Sequence, residues 1–215
     1  MRSLGSIRHP HLVAILGFCS EPKCLVLEYM HNGSLEEMLP CKSRKHSMSW
    51  QDCIRIAIEV CSGLGFLNSF QPRPIIHCHI SPSNILLDNN LVSKIKLFGP
   101  HECNKECNVG SDVKAIGVLL LHLLTGRGNW VTMDMEALFD EVGEEWPLDV
   151  ARELLSLAMR CMSMNCESNE EMSITRIMEE LKEIKRKGCD SNKVPNVFLC
   201  PILQVSLQIY IYLFS

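Results

Sequence analysis

The stretch 113–124 constrains the fold more than any other part of the chain, because it is apolar almost all the way round a helix. A helix of that kind is buried on every side, which requires several other elements packed around it. The chain has 215 residues, of which 47% are hydrophobic, and this is enough for one domain, or one with a fragment, around a real core. Gly126 predicts where the helix ends.

Three further helices follow from apolar residues that recur at helical spacing. The clearest begins with a capping box at Ser49 and Asp52. Another has Pro147 in its first turn, and the last ends at three basic residues and Gly188. The predicted ranges are 50–67, 148–162 and 173–188.

The first part of the chain predicts short strands instead. Apolar runs bounded by Pro and Gly indicate strands at 12–18 and 24–29, followed by a short helix at 35–39. A further apolar run covers 92–98. The polar stretch 99–111 is predicted to be a loop.

Composition excludes several classes of protein. The net charge of −4 argues against a nucleic-acid binder, and no apolar signal segment follows Met1. The twelve cysteines lack paired spacing, which favours reduced thiols and a cytoplasmic location. Cys103 with Cys107 and Cys161 with Cys166 do not have the spacing of a zinc ribbon, so no metal site is expected.

Five motifs occur in an informative order. They are IRHP (7–10), LVLEYM (25–30), IHCHISPSNILL (76–87), IKLFG (95–99) and SDV (111–113). Together they resemble the back half of a protein kinase, and more narrowly the plant receptor-like kinase branch. The resemblance implies an α+β, mainly α fold, in which the C-terminal lobe of a kinase follows a remnant of the N-terminal lobe sheet.

The end of the chain carries a second resemblance. The sequence PNVFLCPI (195–202) resembles the opening of a U-box, the metal-free relative of the RING finger. A plant family joins a kinase domain to a C-terminal U-box ubiquitin ligase, and this chain resembles a truncated and degenerate member. The predicted domains are a kinase-like domain at 1–187 with a truncated N-terminal lobe, a linker at 188–196 and a remnant of the U-box start at 197–215.

The kinase resemblance also implies that the catalytic positions have been replaced. His79 stands where the family has the aspartate that accepts the substrate proton, and Ser81 stands where it has a supporting lysine. Leu97 replaces the aspartate that binds magnesium, and leucine has no oxygen for a hard cation. The Gly-rich loop and phosphate-binding lysine of the family lie upstream of the first motif. The resemblance therefore predicts no catalytic residue and no bound cofactor, although the family uses ATP and magnesium.

Other positions are assigned by the same resemblances. The vestigial nucleotide contacts are Glu28, Met30, Asn84 and Leu86. The structural positions are His77, Phe98 and Asp112. The remnant contacts for a ubiquitin-conjugating enzyme are Phe198 and Ile202. The alternative for the kinase positions is simple core packing and helix capping.

The favoured hypothesis is the kinase-like domain of a plant U-box ubiquitin-ligase-type protein, inactive in catalysis and acting by protein binding. The family implies a ubiquitin-conjugating enzyme and ubiquitin as partners. One alternative is a protein kinase and ubiquitin transferase whose activities are retained in a longer product, and another is a non-functional truncated product, so whether the chain is an enzyme stays open. A membrane anchor at 197–214 is not favoured, because Pro201 and Gln204 are costly in lipid.

Overall fold

The structure is a computed structural model that describes residues 7–20, 23–39, 48–97, 107–126, 146–163 and 172–191. Its elements, in chain order, are β1 (Ile15–Ser20), β2 (Lys23–Leu27), α1 (Leu35–Met38), α2 (Trp50–Asn68), β3 (Ile85–Leu87), β4 (Ser93–Ile95), α3 (Val109–Thr125), α4 (Leu148–Met162) and α5 (Ile174–Ser191). A single 3₁₀ turn, Pro82–Asn84, precedes β3.

Helix α3 lies inside the helical body, as its apolar sequence predicts. It packs against α4 and α2, and α2 packs in turn against α5. The helix starts earlier than predicted, within the stretch 99–111, because the side chain of Asn108 accepts the N–H of Ser111 and caps it. Gly126 ends the helix with a left-handed φ of 64°.

The predicted capping box of α2 is confirmed, since Ser49 and Asp52 exchange side-chain and backbone hydrogen bonds. The end of α5 differs from the prediction. Gly188 does not close the helix; it is packed so tightly that a Cβ there would lie 2.5 Å from Val150 and 2.7 Å from the ring of Trp50. The helix therefore continues to Ser191, and the predicted linker 188–196 overlaps its last turn.

The strands form two antiparallel pairs, β1 with β2 and β3 with β4. Strands β1, β2 and β4 are displaced from or shorter than the predicted apolar runs, and β3 lies where no strand is predicted. The reason for β1 is that the residues before it pair with β4 instead: Val13 donates its N–H to the carbonyl of Ile95, and Ile95 donates to the carbonyl of His11. The ribbon of β1 and β2 is thereby attached to the buried β3–β4 pair.

Within the described ranges, every helix is too short or too polar to cross a lipid bilayer. The first and last side chains of β3 and β4 are fully buried, whereas the central pair, Leu86 and Lys94, is partly exposed. The side chains along the inner sides of α2 and α3 are also buried. The loop 76–84 runs between α2 and β3 and passes the start of α3, and this arrangement places the candidate site.

Candidate functional site

The carboxylate of Asp112, in the first turn of α3, organises the loop 76–84. Asp112 has no solvent exposure, and its two oxygens accept the backbone N–H groups of His77, at 3.0 Å, and Cys78, at 2.8 Å. Cys78 has a φ of 67°, in the left-handed region that residues other than glycine rarely adopt. The two hydrogen bonds therefore hold a strained backbone in a fixed position. Burial raises the pKa of Asp112, against the lowering effect of both N–H groups.

The ring of His77 connects the loop to the end of β4. Its Nε2 lies 3.0 Å from the carbonyl oxygen of Lys96, and its Nδ1 lies 3.3 Å from the backbone nitrogen of His79. These two partners together require the tautomer in which Nε2 carries the proton. Burial lowers the pKa of His77, which favours this neutral form.

Asn84 closes the other end of the loop. Its side-chain Nδ2 donates to the backbone carbonyl of His79 at 3.0 Å. Its own backbone carbonyl accepts the N–H of Lys96 at 2.9 Å. The hydroxyl groups of Ser81 and Ser83 lie 2.9 Å apart. The loop is thus supported from within by its own polar groups.

Four of the sequence-predicted positions, His77, His79, Ser81 and Asn84, belong to this loop, and a fifth, Asp112, holds it. His79 is exposed, Ser81 takes part in the serine pair, and Leu97 follows Lys96 and packs partly buried against the core. The predicted positions Phe98, Phe198 and Ile202 lie outside the described residues, as does the predicted U-box remnant.

These side chains do not fit the ATP–magnesium group that the kinase resemblance implies. Magnesium requires oxygen ligands in near-octahedral geometry, and Leu97 supplies none. Asn84 offers one amide oxygen, because its amide nitrogen donates to the carbonyl of His79, and this single oxygen does not replace the missing carboxylate. Among the described residues, no three His, Cys, Asp or Glu side chains lie close enough to hold a metal ion.

Glu28 has a bracing role that sequence reasoning missed. Its backbone N–H donates to the carbonyl of Ala14, and the N–H of Ala14 donates to one carboxylate oxygen of Glu28 at 2.6 Å. The other carboxylate oxygen pairs with Lys94 at 2.6 Å. Met30 is 8% exposed, and its carbonyl accepts the N–H of Gly33. Leu86 lies in β3 directly opposite Lys94.

A second link of this kind joins α2 to β4. Glu59 is almost fully buried and accepts both the N–H and the hydroxyl of Ser93 at 2.7 Å. Arg55 pairs with the same carboxylate at 2.8 Å. The spacing of Arg55 and Glu59, four residues apart on a helix, is the sequence signal that indicates this pair. Both links fix β4, the strand that leads to Leu97.

The architecture matches that of a known class. A solved structure of an apo pseudokinase aligns with a TM-score of 0.66 at 23% identity, covering 84% of this chain and 71% of the other. The chain therefore has the protein-kinase-like fold, α+β and mainly α, as predicted.

Sequence comparisons identify its relatives. The family described as protein tyrosine and serine/threonine kinase matches residues 1–104. Putative U-box domain-containing protein 50 of Arabidopsis thaliana is 45% identical over 237 residues, covering 95% of this chain and 31% of that protein. U-box domain-containing protein 70 of Oryza sativa subsp. japonica is 34% identical, with 94% and 31% covered. U-box domain-containing protein 33 of Arabidopsis thaliana is 32% identical, with 95% and 30% covered.

This chain is a kinase-like domain related to plant U-box domain-containing proteins, and it spans less than a third of the length of these relatives. The alignment of 237 positions with the first relative exceeds the 215 residues of the chain. That relative therefore carries internal residues that have no counterpart here.

Proposed function

We propose that this chain is a catalytically inactive kinase-like module that acts by binding protein, as part of a plant U-box ubiquitin-ligase-type protein. One observation carries the proposal. The loop 76–84 keeps a complete internal support, with Asp112 buried beneath it, while the positions that would carry out chemistry are His79, Ser81 and Leu97.

Phosphoryl transfer depends on positioning and on neutralising the charge of the phosphates, mainly through metal ions. At this loop, the two family carboxylates are replaced by an imidazole and an alkyl side chain. Neither His79 nor Leu97 is a carboxylate, so the charge and the metal oxygens needed at this place are lost. The loop 76–84 is held in place but lacks these two carboxylates, and this combination supports protein binding as the function.

Nucleotide binding tests the inactivity directly. Thermal unfolding is measured with millimolar ATP, with and without magnesium. A micromolar dissociation constant would stabilise the folded state by about 4 kcal/mol under these conditions, and we expect no magnesium-dependent shift. A clear magnesium-dependent rise in melting temperature would contradict the proposal.

The proposed partners are a ubiquitin-conjugating enzyme and ubiquitin. The U-box names of the relatives and the likeness of 195–202 to a U-box opening support this choice. Titration of the full chain with ubiquitin-conjugating enzymes should show binding that the double variant Phe198→Ala, Ile202→Ala weakens at least tenfold. Equal binding by the unaltered chain and the double variant would exclude these two contacts. It would not affect the conclusion from the ATP-binding test.

A cytoplasmic location belongs to the same proposal. It is supported by the described cysteines, which are not joined by disulfides in the structure and include the exposed Cys24 and Cys189. Imaging of the tagged full chain in plant cells, with a soluble cytoplasmic marker, tests it. Exclusion from the cytoplasm would contradict this part alone.

A further inference from the structure

Cys19 and Cys24 lie directly opposite each other in the β1–β2 ribbon. The register pairs Phe18 with Leu25, Cys19 with Cys24 and Ser20 with Lys23. Residues paired across antiparallel strands project to the same face of the sheet. The two thiols therefore share one face of a two-stranded ribbon.

The pairing suits a disulfide bond. Cys19 and Cys24 are direct partners in the antiparallel register, one pair from the end of the ribbon. The Cα atoms of directly opposite residues in an antiparallel pair lie about 4.5–5.5 Å apart. Disulfides span Cα separations of roughly 4.4–6.8 Å, so the bond can close without moving either strand far.

Both ribbon thiols are accessible. Cys24 is exposed and Cys19 is half-buried, whereas Cys53, Cys61 and Cys161 are buried in the helical body. Burial raises the pKa of the Cys61 thiol and raises that of Cys161 to about 12. Because the thiolate is the reactive form, these core thiols do not compete with the ribbon pair at neutral pH. The remaining accessible thiols of the described residues, Cys78, Cys107 and the exposed Cys189, have no cysteine paired opposite them in a strand.

We propose that Cys19 and Cys24 form a reversible intrachain disulfide through exchange with a small disulfide such as oxidised glutathione. The Cys24 thiolate attacks one glutathione sulfur, the glutathione S–S bond breaks, and one glutathione thiolate leaves. The Cys19 thiolate then attacks the Cys24 sulfur and displaces the second glutathione thiolate. Two protein thiols are oxidised, one glutathione disulfide is reduced to two thiols, and the two protons pass to the leaving thiolates.

The disulfide would act on the β1–β2 ribbon. A two-stranded ribbon is only marginally stable by itself, and this one exposes apolar side chains at Leu16, Leu25 and Val26. Closing the disulfide fixes the register of both strands and so fixes how these side chains are presented. The redox state of the surroundings thereby sets the order of an exposed surface.

The test uses the full chain, equilibrated in buffers of increasing oxidised glutathione, alkylated, and digested with trypsin. Trypsin cleaves after Lys23, between the two cysteines, so the disulfide joins two peptides that separate on reduction. Because the second step is intramolecular, we expect half-closure at an oxidised-glutathione level at least tenfold below that needed to glutathionylate Cys24 in the Cys19→Ser variant.

Cys189, an exposed thiol on α5, provides the matched control. Cys189→Ser should leave the Cys19–Cys24 yield unchanged, and oxidation should slow amide exchange in β1 and β2 at least tenfold in both proteins. Glutathione adducts on Cys24 without a Cys19–Cys24 bond would overturn the proposal. So would linkage to other cysteines or between chains.

Discussion

Asp112 holds the loop 76–84 and His79 belongs to it, but Asp112 is buried and the side chain of His79 is exposed. Asp112 is fully buried, holds two backbone N–H groups and reaches the loop from the first turn of α3. The side chain of His79 is exposed, and its backbone donates a hydrogen bond to the ring of His77 and accepts one from the amide of Asn84.

This difference separates the support of a kinase-like loop from its chemistry. The support depends on buried groups whose loss would leave polar atoms unpaired, so folding itself requires them. The chemistry depends on exposed side chains that contribute little to folding. His79 can therefore differ from the kinase pattern at no structural cost, whereas Asp112 cannot.

The largest expected effect tests this comparison directly. Asp112→Ala leaves the N–H groups of His77 and Cys78 buried without an acceptor, each at a cost of about 1–3 kcal/mol, so we expect a loss of about 4 kcal/mol. His79→Ala, in the same loop, should change the stability by less than about 0.5 kcal/mol. Urea unfolding measures both. Similar losses in the two variants would break the comparison.

The second prediction concerns the packing of the body that carries Asp112. A Cβ on Gly117 would lie 2.7 Å from the carbonyl oxygen of Ala158 and 2.9 Å from the Cβ of Cys161, so Gly117→Ala must separate α3 from α4. We expect a loss of about 2–3 kcal/mol.

Gly65 is the matched control for Gly117. A Cβ there meets only Ile174, at 3.8 Å, so Gly65→Ala should stabilise α2 by about 0.5–1 kcal/mol. Thermal or urea unfolding shows whether each variant, Gly117→Ala or Gly65→Ala, is less or more stable than the unaltered chain. A stabilising Gly117→Ala would show that α3 and α4 are less closely packed than the structure indicates.

The sequence predicts the helices well because their signals are local. The box at Ser49 and Asp52 and the left-handed Gly126 act within a few residues of the ends they determine. Gly188 shows the limit of such signals. Its local meaning is a helix end, but contact with Trp50 and Val150, more than thirty residues away, gives it a different role.

The candidate site also combines features with a local sequence signal and features that depend on distant contacts. Motif order predicts its candidate positions but not its bracing, because Glu28 pairs with Lys94 across 66 residues of sequence. The predicted start of the first strand is wrong for a related reason, because residues before β1 pair with Ile95 rather than with β2. Pairing between distant segments is fixed by the packed fold, which no short pattern contains.

The third prediction concerns a polar defect where the helical body approaches the loop. Both amide atoms of Asn68, at the end of α2, are buried and make no hydrogen bond. Asn68→Leu removes this desolvation cost, and we expect a gain of about 1 kcal/mol. Asn108→Leu, which removes the cap of α3, should instead lose about 1 kcal/mol. A destabilising Asn68→Leu would mean that a bound water satisfies the amide.

The smallest expected effect is a pH dependence that comes from His77. Burial lowers the pKa of His77 in the folded chain, so the unfolded chain takes up a proton first as the pH falls. The contribution of His77 to stability is therefore complete above the unfolded pKa of about 6.5 and is lost as the pH falls toward the folded pKa.

Replacing His77 with glutamine isolates that contribution, because glutamine can still donate and accept hydrogen bonds but does not titrate. The free energy of unfolding, measured in urea between pH 7.5 and pH 5, should fall less steeply for His77→Gln, by at most about 1.4 kcal/mol per pH unit for one proton. Burial and His11 also lower the pKa of His9, so part of the slope should remain until His9→Gln is added. An unchanged slope in His77→Gln would show that His77 has the same pKa in the folded and the unfolded chain, so that burial does not affect the ring.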